Sequence, residues 1–227
     1  MFVAVEGIDG CGKSTTISRI MHLANKHHIA NVYAKETTQT AMGRSIRQAV
    51  LSPSVYLTKS EQATAFAIAR LECLKKITIP ALLKNELVIG DRYMLSSLAY
   101  QANLKSFTND LGLNYTDATN VLGINKTVLG YYWTVPTFYA YISLNPKDNV
   151  KRLQQRTRKQ DTFDKKLANL PEMLRLKENY TFAMSEISTP VMIINGKLTK
   201  NQRGGQIFQR IHSLIMKKRL KTFDRYW

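Results

Sequence analysis

The chain has 227 residues, a hydrophobic fraction of 44% and a formal net charge of +17. That length predicts one substantial core and a single domain over residues 1–227, and no apolar run approaches the roughly 20 residues of a membrane-spanning helix. Two cysteines, Cys11 and Cys73, are too few for a disulfide framework or a metal cluster, so a reducing, cytoplasmic compartment is expected.

The apolar run from Phe2 to Glu6 predicts a buried parallel strand, and the acid and glycines that follow leave no signal-peptide pattern, so the mature chain is expected to start at Met1. A helix is expected from about Lys13 to Lys26, where Ile17, Ile20, Met21 and Ala24 fall at helical spacing. Asn31 to Ala34 reads as a second strand, and Met42 to Leu51 as a helix stopped by Ser52-Pro53-Ser54. A long helix from Glu61 to Leu83 carries Ala65, Ile68, Ala69 and Glu72 at its period, with Pro80 expected to kink or end it. Leu87-Val88-Ile89-Gly90 predicts a third strand, followed by a helix from about Leu95 and a stretch through Tyr132 with no readable pattern. A fourth strand at Phe138 to Leu144, a basic helix from Asp148, a fifth strand at Val191 to Ile194 and a helix from about Gln202 to Lys218 complete the chain. Apolar strands alternating with helices predict an α/β fold, a five-stranded parallel sheet with helices on both faces and ligands outside the carboxyl ends of the strands.

Between the first strand and the first helix lies Gly7-Ile8-Asp9-Gly10-Cys11-Gly12-Lys13-Ser14, a Walker A pattern in the context its mechanism requires, which predicts a P-loop NTPase fold. Gly7, Gly10 and Gly12 let backbone amides, with those of Cys11 and Thr15, curl around the phosphates of ATP; Lys13 reaches the β and γ oxygens and Ser14 ligates Mg2+. Cys11 is read as a small residue that fits the loop rather than a redox control. Histidines 22, 27, 28 and 212 have no companion nucleophile or carboxylate motif, and no catalytic role is expected of them. The charge of +17 predicts attraction to phosphorylated ligands or polyanions, but Lys and Arg are spread along the chain without the interleaved aromatics of a nucleic-acid binder. The basic run near the C-terminus reads most simply as solvated surface.

Phe66 and Arg70 stand four apart and would share one helix face, where a ring and a guanidinium suit a nucleobase; the alternative is a core phenylalanine and a surface charge. Arg92 follows Asp91 at a strand end, which suits a clamp on an acceptor phosphate or a strand-ending salt bridge. Taken with Glu6-Gly7-Ile8-Asp9-Gly10, the segment Phe66 to Arg70 and Asp91-Arg92-Tyr93-Met94-Leu95-Ser96-Ser97-Leu98-Ala99-Tyr100-Gln101 resemble thymidylate kinases, in order through about Asp164. The resemblance implies transfer of the γ-phosphoryl of ATP to dTMP, with thymine stacked on Phe66 and read by Arg70, and the 5′-phosphate on Arg92. It further implies Asp9 at the acceptor 3′-hydroxyl, Ser97 and Gln101 near the base, Tyr100 against the sugar, Asp91 reaching Mg2+ through water, and a homodimer.

A basic run from Arg152 to Asp164 resembles the family's lid, and because Gly10 stands where one subgroup has arginine, Arg156 and Arg158 become candidates for transition-state charge; a solvated helix face is the alternative. Lys35-Glu36-Thr37-Thr38-Gln39-Thr40 resembles an Arg-Glu-Pro-Gly-Gly-Thr segment without its proline and glycines, and the resemblance carries Glu36 and, further on, Arg47 over to the acceptor site. Two rival functions also fit parts of the sequence. A deoxynucleoside or other nucleotide kinase would want a carboxylate base, for which Glu36 is the candidate. A nucleic-acid-stimulated ATPase is invited by the charge, although the acceptor-type segments would then have no task.

Overall fold

A computed structural model describes residues 1–102, 117–155 and 169–223, with side chains through Lys218. Five strands, β1 (Phe2–Glu6), β2 (Asn31–Lys35), β3 (Leu87–Asp91), β4 (Phe138–Ser143) and β5 (Val191–Asn195), form one sheet in the order β2-β3-β1-β4-β5. Every pairing is parallel, and Val5 of β1 stands beside Asp91 of β3 while Glu6 stands beside Tyr141 of β4. The expected α/β architecture is therefore present.

Alternate residues of each strand feed opposite cores, as a sheet covered on both faces requires. Val3, Val5, Ile89, Ala140 and Ile142 pack with α1 (Lys13–Lys26) and with the C-terminal helix α9 (Lys200–Phe223). Ala4, Val88, Tyr139 and Tyr141 pack on the other face with α3 (Lys59–Cys73), α5 (Met94–Gln101), α6 (Ala118–Leu129) and α8 (Leu170–Ser185). The helices α2 (Ala41–Val50), α4 (Ile79–Leu83) and α7 (Pro146–Gln154) complete the described set. Each fully buried aliphatic side chain contributes roughly 1.5–3 kcal/mol, so the two cores dominate the stability of the sheet.

Helix α3 starts on a capping box, in which Thr58 Oγ1 accepts from Glu61 N and Glu61 Oε2 accepts from Thr58 N at 2.7 Å. Its buried side is Ala63, Ala67, Ala69, Arg70 and Cys73, whereas Ile68 is 40% exposed, which corrects the face expected from the sequence. Small alanines let α6 approach, so the burial pattern follows that neighbour rather than the largest side chains. Pro80 does not end the helix. A five-residue π-helical stretch, Leu74–Thr78, precedes it and α4 resumes with the proline in its first turn, where the missing N–H costs nothing. Helices α6 and α8 were not expected.

The segment that lacks the family's glycines rebuilds its turn with side chains. Thr37 takes a left-handed φ of 65°, an unfavourable conformation for a β-branched residue. Gln39 offsets this by accepting from Lys35 N at 2.7 Å and donating to Tyr33 O at 2.9 Å, and Thr40 then caps α2 by accepting from Gly43 N.

Candidate functional site

Strand β1 ends at Glu6 and releases the loop that runs from Gly7 to Ser14 at the start of α1. Gly12 adopts φ 96°, a backbone that strains any L side chain, and a Cβ there would stand 2.6 Å from Arg203 Nη2 and have to displace it, so glycine is favoured. Lys13 Nζ donates to the Gly7 and Ile8 carbonyls at 2.8 and 3.3 Å and lies 3.7 Å from Asp9 Oδ1. Cys11 is fully buried against Gly7, and burial pushes its thiol up, which fits a packing residue. Ser14 and Thr15 are exposed in the first turn of α1, with Thr15 Oγ1 donating back to Gly12 O at 3.0 Å.

At the neighbouring strand end, buried Asp91 accepts from Tyr33 Oη at 2.8 Å. Arg92 follows with φ 74°, a strained backbone for a non-glycine residue of the kind concentrated at functional sites. Its Nη2 donates to Asp9 Oδ1 at 2.6 Å, and its Nη1 donates to Gly7 O at 3.3 Å, Ser96 Oγ at 3.0 Å and Tyr180 Oη at 3.1 Å. Tyr100 Oη donates to the other Asp9 oxygen at 3.2 Å, and the Arg92 guanidinium carbon lies over the Tyr100 ring, 5.3 Å from its centroid. Burial opposes ionisation of Asp9, yet Arg92 and then Lys13 hold its carboxyl well below the usual range.

Glu6 organises this corner from beneath. Helix α5 has no side-chain cap of its own at Tyr93; instead the Glu6 carboxylate accepts from Tyr93 N at 2.6 Å and from Ser96 N at 3.1 Å. A carboxylate there satisfies two orphan amides and meets the positive end of the helix dipole. Ser96 Oγ and Tyr180 Oη also donate to Glu6 Oε2, at 2.6 and 3.3 Å. Burial raises the Glu6 carboxyl despite the nearby Arg92 charge. Through this contact the loop and α5 are fixed to each other.

Helices α3 and α5, the end of α2 and the first turns of α8 surround a cavity of about 440 Å³, within the range of small-molecule sites. All nine residues expected on the acceptor side line it: Asp9, Glu36, Arg47, Phe66, Arg70, Arg92, Ser97, Tyr100 and Gln101. They come from four separate stretches of chain. The wall also includes Lys59, Gln62, Glu172 and Arg175, none of which the sequence singled out. With Asp9, Glu36 and Glu172 against Arg47, Lys59, Arg70, Arg92 and Arg175, the ionisable lining among the described residues carries two more positive than negative charges. That excess suits a phosphate monoester dianion.

Arg70 is only 2% exposed. Glu36 grips it in a bidentate pair, Nε to Oε1 at 2.6 Å and Nη2 to Oε2 at 2.8 Å, and Nη2 also donates to Ser97 Oγ at 2.9 Å. Nη1 donates to Asn125 Oδ1 of α6 and lies 3.9 Å from the Met94 sulfur. Burial pushes the Glu36 carboxyl up, against the pull of Arg70. The N–H beside the soft Met94 sulfur is thus the one least committed to a protein oxygen. Asn125, Tyr33 and Tyr180 are partners that sequence reasoning missed, the first and last because they stand on helices that were not expected.

Arg156 and Arg158 lie outside the described residues. Arg152 of α7 donates to Gly196 O at 3.3 Å, after β5. The His27 ring lies 5.1 Å from Phe208 and 5.3 Å from His212, in the seam between α1 and α9 and away from the cavity. Among the described residues, no group of three or more His, Cys, Asp or Glu side chains could hold a metal ion. Ser14 and Asp91 remain the candidate oxygen donors, and Mg2+ characteristically needs few protein ligands because it retains waters and phosphate oxygens.

The thymidylate kinase family model matches residues 5–202. A probable thymidylate kinase of Thermococcus gammatolerans is 30% identical over 204 residues, which cover 87% of this chain and 88% of that protein. A thymidylate kinase of Onion yellows phytoplasma is 34% identical over 166 residues, 72% of this chain and 74% of its own, and one of Acholeplasma laidlawii is 29% identical over 220 residues, 96% and 100%. A match that begins inside β1 and runs into α9 takes in the loop, the cavity and every strand between them, and on that ground the chain belongs to the thymidylate kinase family.

Proposed function

We propose that the chain transfers the γ-phosphoryl of ATP to dTMP, giving dTDP and ADP. The observation that carries this reading is convergence: nine residues from four stretches of chain line one cavity, and one of them, Asp9, belongs to the phosphate-binding loop itself. Donor and acceptor phosphates would then meet at Arg92, which touches both Gly7 O and Asp9.

The acceptor oxygen is already ionised near neutral pH, so the reaction needs alignment and charge neutralisation rather than a base. That oxygen bonds to the γ-phosphorus as the bond to the β–γ bridging oxygen breaks, and the electron pair leaves with ADP. Lys13 neutralises the β and γ oxygens, Arg92 clamps the acceptor phosphate, and Arg156 and Arg158 are the candidates for transition-state charge. Ser14, through its hydroxyl, and Asp91, through water, would hold Mg2+, which would supply positive charge to neutralise the donor phosphates. Phe66 stacks on thymine, and Arg70, Ser97 and Gln101 address its polar edge. Tyr100 crowds the sugar where a 2′-hydroxyl would stand, and Asp9 accepts from the 3′-hydroxyl.

The rival nucleoside kinase loses its candidate base, because Glu36 is locked to Arg70 by two hydrogen bonds. An ADP-release assay across dTMP, dUMP, dCMP, dGMP and thymidine tests the reading. The expected order puts dTMP first, with Arg92→Ala losing about 10²–10³ in turnover, the scale of one electrostatic catalytic donor. Preference for thymidine, near-normal turnover of Arg92→Ala, or hydrolysis that requires DNA and ignores dTMP would overturn it.

A homodimer and a cytoplasmic location belong to the same proposal. Exposed Ile68 on α3 supports an apolar contact between copies, to be read by sedimentation, and two free buried cysteines fit a reducing compartment.

A further inference from the structure

Arg203 stands in the first turn of α9, is 5% exposed, and meets no carboxylate among the described residues. Its partners are neutral oxygens: Nε donates to Thr16 Oγ1 at 2.9 Å, and Nη1 donates to Gly196 O at 3.1 Å and to Leu198 O. Its Nη2 faces Gly12, 2.6 Å from where a Cβ would stand. A buried guanidinium is ordinarily paired with an anion, because neutral acceptors satisfy its hydrogen bonds without offsetting its charge. Arg70, the other deeply buried arginine described above, has Glu36.

A second cation aggravates the imbalance. Arg152, on α7, also donates to Gly196 O, at 3.3 Å, so two guanidinium groups from different helices converge on one carbonyl oxygen. Burial, and then the Arg152 charge, lower the proton affinity of Arg203 below the usual arginine value. The cluster lies beside the last glycine of a loop built to hold a polyphosphate, at the carboxyl edge of the sheet where ligands of this architecture bind.

We propose that Arg203 is a positioning residue for the donor nucleotide: it ties the turn after β5 to the phosphate-binding loop, and its unbalanced charge is complemented by the donor polyphosphate. The anion offsets a charge that the described residues leave uncompensated, so the contribution scales with the charge of the ligand. Helix α1 transmits the second half of the effect, because Thr16 Oγ1 both receives Arg203 and donates to Gly12 O at 2.9 Å. The inference rests on the donor being the nucleotide held by the loop, as proposed above.

Calorimetric titration of ATP, ADP and adenosine into wild type, Arg203→Met and Arg203→Lys, without acceptor, tests it. The expected result is about a tenfold or greater loss of ATP affinity in Arg203→Met, a smaller loss for ADP, little change for adenosine, and partial recovery in Arg203→Lys. Steady-state kinetics should show the KM for ATP rising while the KM for dTMP stays within about twofold, a split that a merely structural defect would not produce. Equal ATP affinity in a folded Arg203→Met protein, or equal losses for ATP and adenosine, would overturn the proposal. Should Arg203→Met fail to fold, Arg203→Gln, which removes the charge but keeps hydrogen-bonding atoms, carries the test, and ATP affinity equal to wild type there overturns it as well. Failure of wild type to phosphorylate dTMP would instead strike the function proposed above, since the titrations contain no acceptor.

Discussion

Tyr180→Phe removes a single oxygen from the corner that holds Arg92. That hydroxyl accepts from Arg92 Nη1 at 3.1 Å, shares a hydrogen bond with Ser96 Oγ at 2.9 Å and donates to Glu6 Oε2 at 3.3 Å. The ring itself remains packed in the core beside Tyr141, 5.1 Å between centroids, so no cavity of consequence is created. Hydrogen bonds to charged groups contribute about 1.5–3 kcal/mol each, but Arg92 keeps Asp9 and Ser96, and Glu6 keeps the α5 amides, so a net loss of about 2 kcal/mol is expected. For a chain of this size that corresponds to a fall in Tm of roughly 4–8 °C. Because Arg92 loses one tether and retains others, the KM for dTMP should rise about three- to tenfold while the KM for ATP holds. Differential scanning calorimetry and the ADP-release assay read the two effects. Unchanged Tm and unchanged KM for dTMP would refute the claim that this hydroxyl positions the guanidinium.

Glu36→Gln should destabilise more, by about 3–5 kcal/mol, because it leaves the buried Arg70 charge without its anion; urea denaturation checks it. Thr37→Asn should stabilise by about 1 kcal/mol, since asparagine tolerates the left-handed backbone that threonine resists, and a lower midpoint in the same denaturation would contradict the turn described here. Asp9→Asn tests pH linkage. A carboxyl held below its ordinary value stabilises the fold above the unfolded aspartate value and loses that contribution as pH falls through the folded one. The stability gap between wild type and Asp9→Asn should therefore be open at about pH 6 and narrow toward about pH 3, and a gap that widens on acidification would refute the ion pair with Arg92.

The strands and the loop were legible in the sequence because local signals set them: an unbroken apolar run for β1, and glycines spaced around Lys13. Helices α6 and α8 were not read, although Met173, Leu176, Tyr180 and Ala183 of α8 recur at helical spacing; the buried Asn125 and Asn179 interrupt the apolar stripes, and their partners are set by tertiary contacts. Phe66 and Arg70 were found from their spacing and from family resemblance, yet nothing local disclosed that Glu36 occupies the guanidinium from thirty-four residues away. Glu6 carried no signal for its role as the cap of α5, because a strand residue that caps a distant helix is defined only by the β1–β3 pairing. Arg203 was invisible for the same reason: its meaning depends on Gly12 and Gly196, which the fold brings to it.

The most direct test of the account is a crystal of the protein soaked with dTMP. The thymine should stack on Phe66, the 5′-phosphate should lie within hydrogen-bonding distance of Arg92, and the 3′-hydroxyl should meet Asp9. A nucleotide bound outside the cavity, or seated there with its phosphate turned away from Arg92, would contradict it.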